Sequence, residues 1–368
     1  MRHDKTVLVE VGNPKAEPAP DGTHYLVVAG GPLEGRWVEV SEEPIVIGRG
    51  DEADLALDDR TVSGRHCRLS LEGDWLVVED LGSMNGTYVA GEKVAGPQEV
   101  PLGASLQVGA SLMKHEFRSR QEVQQQKLLT KELDKAAAYV RSLLPEPVDG
   151  EVLSTAWRFV PCAKLGGDAF GYHWLDDDRF ALYLMDVCGH GPRSALHSVS
   201  IINLLRKRTL RRVDFGRPDQ VLGALNQAFQ MEEHAGMYFT IWYGIYQPSS
   251  RRLSFASAGH PPGLLLGSDS AVHELCVQRP AVGLFEETAY EAHEIEVAPH
   301  SRLFLFSDGA FEITTSEGRQ WTIEEFLELL GEPASRRAGP ERIELAVREL
   351  MDAEEFDDDF SLLVTDFH

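Results

Sequence analysis

Short hydrophobic segments alternate with polar turns over the first third of the chain. Between residues 25 and 117, eight segments of five or six residues, such as YLVVAG, HCRLSL and WLVVED, are separated by turn sequences such as SMNG and AGEK. Short apolar segments at this spacing predict β-strands joined by tight turns. We therefore predict an all-β sandwich for this part of the chain.

The hydrophobic pattern changes after residue 118. Residues 119–144 contain no Gly or Pro and are rich in Gln, Lys, Leu and Ala, which favours one helix that ends before Pro145. Farther on, the pattern predicts strands at 168–175, 180–187, 237–246, 253–258, 302–307 and 360–367, and helices at about 192–208, 218–232, 322–330 and 340–352. Hairpins combined with segregated helices indicate an α+β domain.

The length of the chain supports a division into two domains. A single hydrophobic core rarely extends beyond about 250–300 residues, and this chain has 368. We predict a flexible leader rich in Pro and Gly, an N-terminal all-β domain, a helical linker and a C-terminal α+β domain, at residues 1–22, 23–118, 119–147 and 148–368.

The apolar residues of the linker follow a heptad spacing. Leu129, Leu133, Ala136, Val140 and Leu143 are separated by four, three, four and three positions. This spacing is typical of a coiled-coil seam, and it fits an amphipathic helix packed on its own C-terminal domain equally well. The sequence therefore leaves open both a homodimer through the linker helix and a docked helix.

Two aspartates lie at the open end of a predicted hairpin. A turn centred on Asp177 and the two-residue period of strands bring Asp168 opposite Asp186. The same register predicts the pairs Trp174–Phe180, Tyr172–Leu182 and Phe170–Leu184. Opposed Cβ atoms are about 4.5–5.5 Å apart, and two carboxylates at ~5 Å repel by about 3 kcal/mol at an effective dielectric near 20. A shared proton, exposure to water or a cation must offset that repulsion.

Aspartates also mark two other predicted strand ends. The apolar segment RLFLFS ends at Asp308, and the segment DDDFSLLV begins with Asp357, Asp358 and Asp359. Carboxylate oxygens are the ligands that magnesium and manganese prefer. With the pair on the hairpin, these residues predict a metal site, whereas we interpret the acidic turn at 176–178 as a solvated loop.

Three loops of the all-β domain carry polar residues that suit a phosphorylated peptide. Arg49 lies in IGRG, Ser63 in VSGRH and Asn85 in SMNGT. A guanidinium fits phosphate, a hydroxyl donates a hydrogen bond, and an amide pairs with a peptide main chain. Each loop alone is typical of a turn, but together they predict a site for an extended phosphopeptide.

These loops resemble the forkhead-associated (FHA) domain over about residues 25–117. The resemblance implies that Arg49 and Ser63 hold the phosphate of a phosphothreonine in a partner protein. It also implies that Asn85 holds the peptide backbone and that His66 supports the loop from behind.

The residue after the phosphate-binding serine departs from the FHA pattern. The family usually has a side chain there that helps at the phosphate, whereas this chain has Gly64. Either Arg65 compensates for the missing side chain, or the affinity for the phosphopeptide is modest. We therefore include Arg65 among the phosphopeptide-binding residues.

Five motifs of the C-terminal domain resemble a phosphatase family when they are taken in order. GGD, DVCGHG, AGHPP, SDG…E and DDFSLL follow one another over about residues 143–367. They resemble the SpoIIE/RsbU-type branch of the PPM metal-dependent protein serine/threonine phosphatases. The resemblance implies a sandwich of two antiparallel sheets flanked by helices, with two Mn²⁺ or Mg²⁺ ions at one edge.

The same resemblance implies which residues hold the ions. Asp186 would bridge both ions, and Asp308 and Asp358 would hold the first. Asp168 and the main-chain carbonyl of Val187 would hold the second. Through the ions, Asp186 and Asp308 would serve the catalytic step.

Three further positions in these motifs either depart from the family pattern or allow two roles. Asp359 is a further candidate ligand, at a position where related phosphatases often have Asn. Gly171 replaces an Asp of the GGDxxD pattern, a change that we expect to weaken only a third, loosely held ion. His190 lies in a tight glycine turn, where it either donates a proton to the leaving group or braces the loop, and the turn favours the brace.

Together the two resemblances imply a bacterial signalling enzyme. Water activated by two metal ions would hydrolyse phosphoserine or phosphothreonine on a protein, and by family analogy the substrate is a phosphorylated anti-sigma-factor antagonist. The alternative is a phosphopeptide-binding adapter with an inactive phosphatase half. Missing metal aspartates would mark that adapter, whereas Asp168, Asp186, Asp308 and Asp358 are all present.

Composition and charge narrow the partners and the compartment. The net charge of −24 disfavours nucleic acid and anionic membranes as partners, and it disfavours a nuclease, which needs a basic groove. The four cysteines include no CxxC pair, and no apolar segment is long enough for a signal peptide or a membrane span. We therefore expect reduced thiols and a cytoplasmic protein.

Overall fold

The computed structural model describes residues 22–30, 35–41, 43–50, 53–268, 271–351 and 355–368. The predicted leader at 1–22 lies outside these residues except for Gly22, which begins a strand. The chain divides into two compact units, Met1–Thr130 and Lys131–His368. Within the described ranges, no helix combines the length and the apolar character that a membrane span requires.

The first unit is the predicted all-β sandwich. Its strands are β1 (Gly22–Gly30), β2 (Trp37–Val40), β3 (Ile45–Gly48), β4 (Leu55–Ala56), β5 (Cys67–Glu72), β6 (Trp75–Asp80), β7 (Thr87–Val89), β8 (Glu92–Lys93), β9 (Gln98–Glu99), β10 (Ser105–Val108) and β11 (Ser111–Ser119). They form two sheets with the orders β2-β1-β11-β10-β7-β8 and β4-β3-β5-β6-β9. Buried aliphatic residues such as Leu26, Ile47 and Leu106 fill the core.

Helix α1 (Arg120–Arg141) follows the sandwich and crosses the boundary between the two units. Its start is a reciprocal cap, in which the amide of Glu122 donates to the hydroxyl of Ser119 and the Glu122 carboxylate accepts from the Ser119 amide. The helix ends three residues before the predicted residue 144, because Leu143 and Leu144 bond to carbonyls three positions back and tighten the last turn.

The second unit contains ten strands and four helices among its described residues. The strands are β12 (Leu153–Val160), β13 (Ala169–Asp176), β14 (Arg179–Val187), β15 (Phe239–Gln247), β16 (Arg252–Ala258), β17 (Gly263–Leu266), β18 (Val272–Leu275), β19 (His293–Glu296), β20 (Arg302–Phe306) and β21 (Phe360–Phe367). The helices are α2 (Pro192–Lys207), α3 (Pro218–Ala228), α4 (Ile323–Gly331) and α5 (Pro340–Leu350).

These elements form four layers. Two sheets pack face to face, helices α2 and α3 cover one outer face, and helices α4 and α5 cover the other. The sheets have the orders β12-β21-β20-β17-β18 and β13-β14-β15-β16-β19. One core lies between the sheets, a second lies under α2 and α3, and a third lies under α4 and α5. The predicted α+β sandwich flanked by helices is therefore confirmed.

The register of the β13–β14 hairpin is the predicted one from Trp174 toward the open end, but it shifts beside the turn, where Asp176 pairs with Arg179 instead of with Asp178. Phe170 pairs with Leu184, Tyr172 with Leu182 and Trp174 with Phe180. One face of the hairpin contributes to the core between the sheets, and the other face contributes Tyr183 and Met185 to the core under the helices. Both faces are buried, which holds the open end of the hairpin firmly in place.

Several predicted element ends are confirmed and others differ. Thr322 and Glu325 form the predicted capping box at the start of α4, and Pro340 begins α5. Helix α3 ends at Ala228 instead of 232, because Phe229 leaves the helical conformation and packs into the core. Four described strands of this unit were not predicted: β12, β17, β18 and β19. Most residues of β18 and β19 are exposed and give no apolar alternation. Strand β12 has several half-buried positions, and β17 is only four residues long.

Candidate functional site

Four aspartates lie at strand ends of the two sheets in the second unit. Asp168 directly precedes β13 and Asp186 lies near the end of β14, so the hairpin brings them together. Asp308 opens a short 3₁₀ turn after β20, and Asp358 lies just before β21. The charge of Asp358 raises the pKa values of both Asp186 and Asp308, so the two sheets contribute to one acidic site.

Burial strengthens the repulsion between these carboxylates. Burial and then the charges of Asp308 and Asp358 raise the pKa of Asp186 to about 8. Burial and then Asp358 raise the pKa of Asp308 to about 6. Burial and then Asp186 raise the pKa of Asp168 well above its usual range. In the protein alone, this site therefore holds protons near neutral pH, which a cation would displace.

The burial of Asp168 is a second reason, independent of the charge of the site, why divalent cations suit it. Asp168 is only 2% exposed, and its Oδ2 has no hydrogen-bond partner among the described residues. A buried, unpaired carboxylate oxygen is costly unless a donor or an ion meets it. Oxygen ligands from several carboxylates are the set that Mg²⁺ or Mn²⁺ prefers.

Two glycines permit the close packing of the loop that precedes Asp168. A Cβ on Gly166 would lie 2.2 Å from a carboxylate oxygen of Asp359, and a Cβ on Gly167 would lie 2.5 Å from the carbonyl oxygen of Val187. Any side chain at these positions would push the loop away. The main-chain carbonyl of Val187, a predicted ligand, is therefore packed directly against this loop.

Tyr183 explains why the chain departs from the GGDxxD pattern at Gly171. Gly171 pairs with Tyr183 across the hairpin, and a Cβ on Gly171 would lie 2.3 Å from the Tyr183 hydroxyl oxygen. Tyr183 is fully buried. An aspartate at position 171 would collide with this ring, so the tyrosine and the glycine fit each other.

The two histidines of the motifs have different surroundings. His190 is exposed in the glycine turn before α2, and it opposes the rise that burial causes in the pKa of Asp358. His260 is buried, its Nδ1 lies 3.0 Å from the carbonyl oxygen of Pro261, and burial lowers its pKa to about 4. The neutral ring of His260 therefore fits a structural role.

Glu312 is the glutamate of the SDG…E motif, and the sequence analysis assigned no role to it. Asp186, Asp308 and Glu312 line one cavity of about 280 Å³ together with the AGHPP turn. The charge of Glu312 contributes to the raised pKa values of both aspartates. The position of Glu312 in the same short motif as Asp308 is the sequence signal that could have identified it.

Cys162 is a second residue that sequence reasoning missed. Its sulfur and the carboxylate oxygens of Asp358 and Asp359 lie within 4.8 Å of one another. Residue 162 is nearly 200 positions from the two aspartates in the chain. No sequence pattern links them, and only the fold brings them together.

The second half of helix α1 contacts the loop that leads to Asp168. Asp134 forms an ion pair with Lys164. Ala137 and Val140 line a cavity of about 320 Å³ with Leu165. These contacts lie within the second unit and support the docked-helix alternative, while the homodimer stays a prediction.

Arg49 and Ser63 are adjacent in the first unit because two loops pair through their main chains. The Arg49 amide donates to the Ser63 carbonyl at 3.0 Å, and the Gly50 amide donates to the Gly64 carbonyl at 3.1 Å. A Cβ on Gly48 would lie 2.1 Å from the Gly64 carbonyl oxygen, so this pairing requires glycine. The Arg49 side chain is exposed.

The third loop joins the same cluster. The amide of Met84 donates to the Ser63 hydroxyl at 3.1 Å, and the side-chain amide of Asn85 donates to the Thr61 carbonyl at 2.7 Å. Arg65 is exposed in the second loop. The structure therefore brings together Arg49, Ser63 and Asn85, with Arg65 next to them in the chain.

Buried groups behind the loops fix their geometry. His66 is fully buried, its Nδ1 accepts from the Ser63 amide at 3.0 Å, and its Nε2 lies 3.1 Å from the Gly86 carbonyl oxygen. The Asp80 carboxylate accepts from Ser83 and Thr87. Partial burial alone would raise the pKa of Asp80, but these hydrogen bonds hold it at about 2.

Two family models match the chain in separate regions. The model of stage II sporulation protein E (SpoIIE) matches residues 176–368, and the FHA domain model matches residues 45–109. These regions contain the aspartate site, except for Asp168, and the three-loop site. The first model alone spans slightly more than half of the chain.

Similar proteins match one region each. Phosphoserine phosphatase RsbP of Bacillus subtilis is 30% identical over 198 residues, 52% of this chain and 48% of that protein. FHA domain-containing protein FhaB of Mycobacterium tuberculosis is 44% identical over 90 residues, 24% of this chain and 58% of that protein. The chain thus spans about half the length of the curated relatives it matches.

A solved structure supports the fold of the second unit. The SiaA-PP2C domain of Pseudomonas aeruginosa is 24% identical, with a TM-score of 0.57, and the match covers 66% of this chain and 98% of that domain. At this identity the likeness concerns the fold alone. It agrees with the two sheets and the flanking helices described above.

Proposed function

Because the chain belongs to the SpoIIE family and carries an FHA domain, we propose that it is a metal-dependent protein serine/threonine phosphatase of bacterial signalling. The single observation that carries the proposal is the unpaired, buried Oδ2 of Asp168 beside three further carboxylates with raised pKa values. The FHA domain would bind phosphothreonine peptides. Residues 23–118, 119–147 and 148–368 are the proposed FHA domain, linker and phosphatase domain.

Apart from Asp359, the proposed ligands are those that the sequence indicated. Asp186 would bridge two Mn²⁺ or Mg²⁺ ions, with Asp308 and Asp358 on the first ion. Asp168 and the Val187 carbonyl would hold the second. When bound, such ions would activate water and neutralise charge on a phosphoryl group.

The residues of the chain would position the substrate and manage its protons. The cavity lined by Asp186, Asp308 and Glu312 is open to solvent at the acidic end of the sandwich, and it has room for a phosphorylated side chain. His190 is exposed on the same side as Asp358 and is the candidate proton donor to the leaving oxygen or a brace of its loop. No nucleophilic side chain is required by this arrangement.

The substrate class follows from the resemblance to RsbP, whose name describes a phosphoserine phosphatase. Phosphoserine or phosphothreonine on a protein would be hydrolysed, and a phosphorylated anti-sigma-factor antagonist is the proposed substrate. The aspartates that an inactive adapter would lack are present and converge, so no observation favours that alternative.

Matched variants within one hairpin test the phosphatase proposal. Asp186→Asn removes the bridging carboxylate, whereas Asp177→Asn changes an exposed turn residue of the same hairpin. We expect manganese-dependent hydrolysis of p-nitrophenyl phosphate by the wild type and by Asp177→Asn, and its loss in Asp186→Asn. Circular dichroism would show that both variants are folded. Equal turnover by all three proteins would refute the proposed site.

Calorimetry with phosphothreonine peptides tests the FHA proposal. Arg49→Ala should abolish binding, because a phosphate of roughly −1.5 to −2 charges loses its main partner. Arg68→Ala is the matched control, since Arg68 is exposed on β5 and pairs with Glu79. Binding that is equal in wild type and Arg49→Ala would contradict the site.

A further inference from the structure

Asp359 makes contacts that differ from those of the other aspartates. It is 3% exposed at the entrance to β21. Its Oδ1 accepts from the Cys162 amide at 2.9 Å, and its Oδ2 accepts from the Asp168 amide at 3.1 Å. Both carboxylate oxygens are therefore engaged by main-chain donors of one loop.

That loop is the crossing between the two sheets. It leaves β12, which pairs with β21, and it enters β13, which belongs to the opposite sheet. Cys162 lies at its beginning and Asp168 at its end. One buried carboxylate thus holds both ends of the crossing against β21.

The surroundings of Asp359 hold it rigidly in this position. The Ser307 hydroxyl donates to the Asp359 carbonyl at 2.9 Å, and this serine precedes Asp308. A Cβ on Gly309 would lie 2.3 Å from the carbonyl oxygen of Asp359, so the chain beside Asp308 packs directly on Asp359. The main chain of Asp359 is fixed by the Asp308 segment while its side chain is fixed by the Asp168 loop.

We infer that Asp359 is a positioning residue that sets the place of Asp168 relative to Asp308, and that it is not a metal ligand. The inference rests on the proposed function only in taking Asp168 and Asp308 as ligands. The competing interpretation is that Cys162, Asp358 and Asp359 hold an ion, since their donor atoms lie within 4.8 Å of one another. Against it, the hydrogen bonds from two amides already compensate the Asp359 charge without any ion.

The two interpretations predict opposite effects in the metal-free protein. Removing a ligand carboxylate from a crowded acidic site relieves repulsion and raises the melting temperature in EDTA. Removing a brace leaves two buried amides unpaired and lowers it. Asp186→Ala serves as the ligand control for Asp359→Ala, because the Asp358 carboxylate accepts from the Asp359 amide and its loss would disturb the same segment. Asp359→Asn is the conservative variant, which keeps one acceptor oxygen for one of the two amides.

The experiment measures thermal unfolding and hydrogen exchange of the full chain in EDTA. We expect the melting temperature to rise in Asp186→Ala, to fall in Asp359→Ala, and to lie between wild type and Asp359→Ala in Asp359→Asn. Exchange of the peptide that covers residues 161–169 should accelerate by about tenfold for each hydrogen bond lost. If Asp359→Ala does not fold, the comparison is made between wild type and Asp359→Asn, and we expect faster exchange of residues 161–169 in the variant.

A melting temperature that rises in both Asp359 variants, with unchanged exchange of residues 161–169, would overturn the inference and make Asp359 a ligand. Titration with Mn²⁺ alone provides the complementary measurement. We expect Asp186→Ala to weaken Mn²⁺ binding more than Asp359→Asn does. Because the unfolding and exchange data come from metal-free protein, they test the role of Asp359 even if the chain has no phosphatase activity.

Discussion

Asp168 and Asp186 repel each other across the open end of the β13–β14 hairpin, and after burial this repulsion is the largest cause of the raised pKa of Asp168. The hairpin is buried on both faces, which limits how far the two strand ends that carry these carboxylates can separate. A site that is strained in this way binds cations in exchange for protons.

The acidic site makes the metal-free protein less stable as the pH rises. Asp186 has a pKa of about 8 in the folded protein and about 3.9 when unfolded. Between these values the unfolded chain is ionised while the folded site keeps its proton, so stability falls with rising pH. We expect the melting temperature in EDTA to fall between about pH 5 and about pH 8.

Manganese should reverse this trend, with a larger stabilisation at the upper end of the range, because fewer protons need to be displaced there. Asp186→Asn cannot ionise at this position and should show a weaker dependence on pH in EDTA. A melting temperature in EDTA that is constant or rises over this range would contradict the electrostatic description of the site.

Asp80 stabilises the first unit through the loop that contains Asn85. Asp80→Ala removes the acceptor for Ser83 and Thr87, and we expect a loss of about 1–3 kcal/mol in the free energy of unfolding. Because the folded pKa of about 2 is below the unfolded value, this contribution is present above about pH 4 and is lost as the pH falls toward 2. Urea denaturation of wild type and variant at several pH values measures both effects.

Met84 offers a test of where the phosphopeptide lies. Its side chain is 89% exposed, while its amide is bonded to the Ser63 hydroxyl. Met84→Glu should weaken binding of a phosphothreonine peptide without affecting stability, because the new charge repels phosphate. Leu102→Glu, at another exposed apolar position of the same unit, should leave binding unchanged. If both variants bind the phosphothreonine peptide with the same affinity as the wild type, the peptide lies elsewhere.

The linker helix gives a prediction about the proposed homodimer. Leu129 is 55% exposed on the heptad face of α1. If this face pairs two chains, Leu133→Glu in the same seam should convert dimers to monomers in light scattering. A wild-type monomer at micromolar concentration would exclude the dimer and leave the contacts of Asp134 and Lys164 as those of a docked helix.

The hairpin could be predicted from the sequence, whereas the complete site could not. The two apolar segments on either side of the polar turn at 176–178 predict the pairs from Trp174–Phe180 to Phe170–Leu184. This register leaves Asp168 and Asp186 at the open end of the hairpin. The strand-end positions indicated Asp308 and Asp358 as candidate ligands, and the motif resemblance assigned them to one ion. No local pattern reports the crossing between sheets, so the contact of Cys162 with Asp359 appears only in the fold.

The same limit applies to other details of the structure. Gly171 is an unexplained departure in the sequence and becomes understandable once Tyr183 is seen to fill its space. In the first unit, the motifs identified Arg49, Ser63 and Asn85, but the strands β4, β8 and β9 have only two residues each and carry no periodic signal. Strands that are buried along most of their length, such as β14 and β15, were predicted, whereas the partly buried β12 and the shortest strands were not.

The two-domain arrangement predicts an asymmetric effect of deletion. Removing residues 1–118 should leave turnover of a small phosphate ester nearly unchanged. It should lower kcat/KM for a protein that carries both a target phosphoserine and a distal phosphothreonine, because tethering raises the effective substrate concentration to about the millimolar range. A severalfold change in small-ester turnover would indicate that the first unit controls the metal site directly.

The central claim is that the aspartate site catalyses metal-dependent removal of phosphate from proteins. Its most direct test is phosphate release from a phosphoserine protein by the purified full chain, measured with Mn²⁺, with excess EDTA, and after Mn²⁺ is restored. We predict release with Mn²⁺, none in EDTA, and recovery when the metal returns. Full release in excess EDTA, or none under any of the three conditions, would contradict the account.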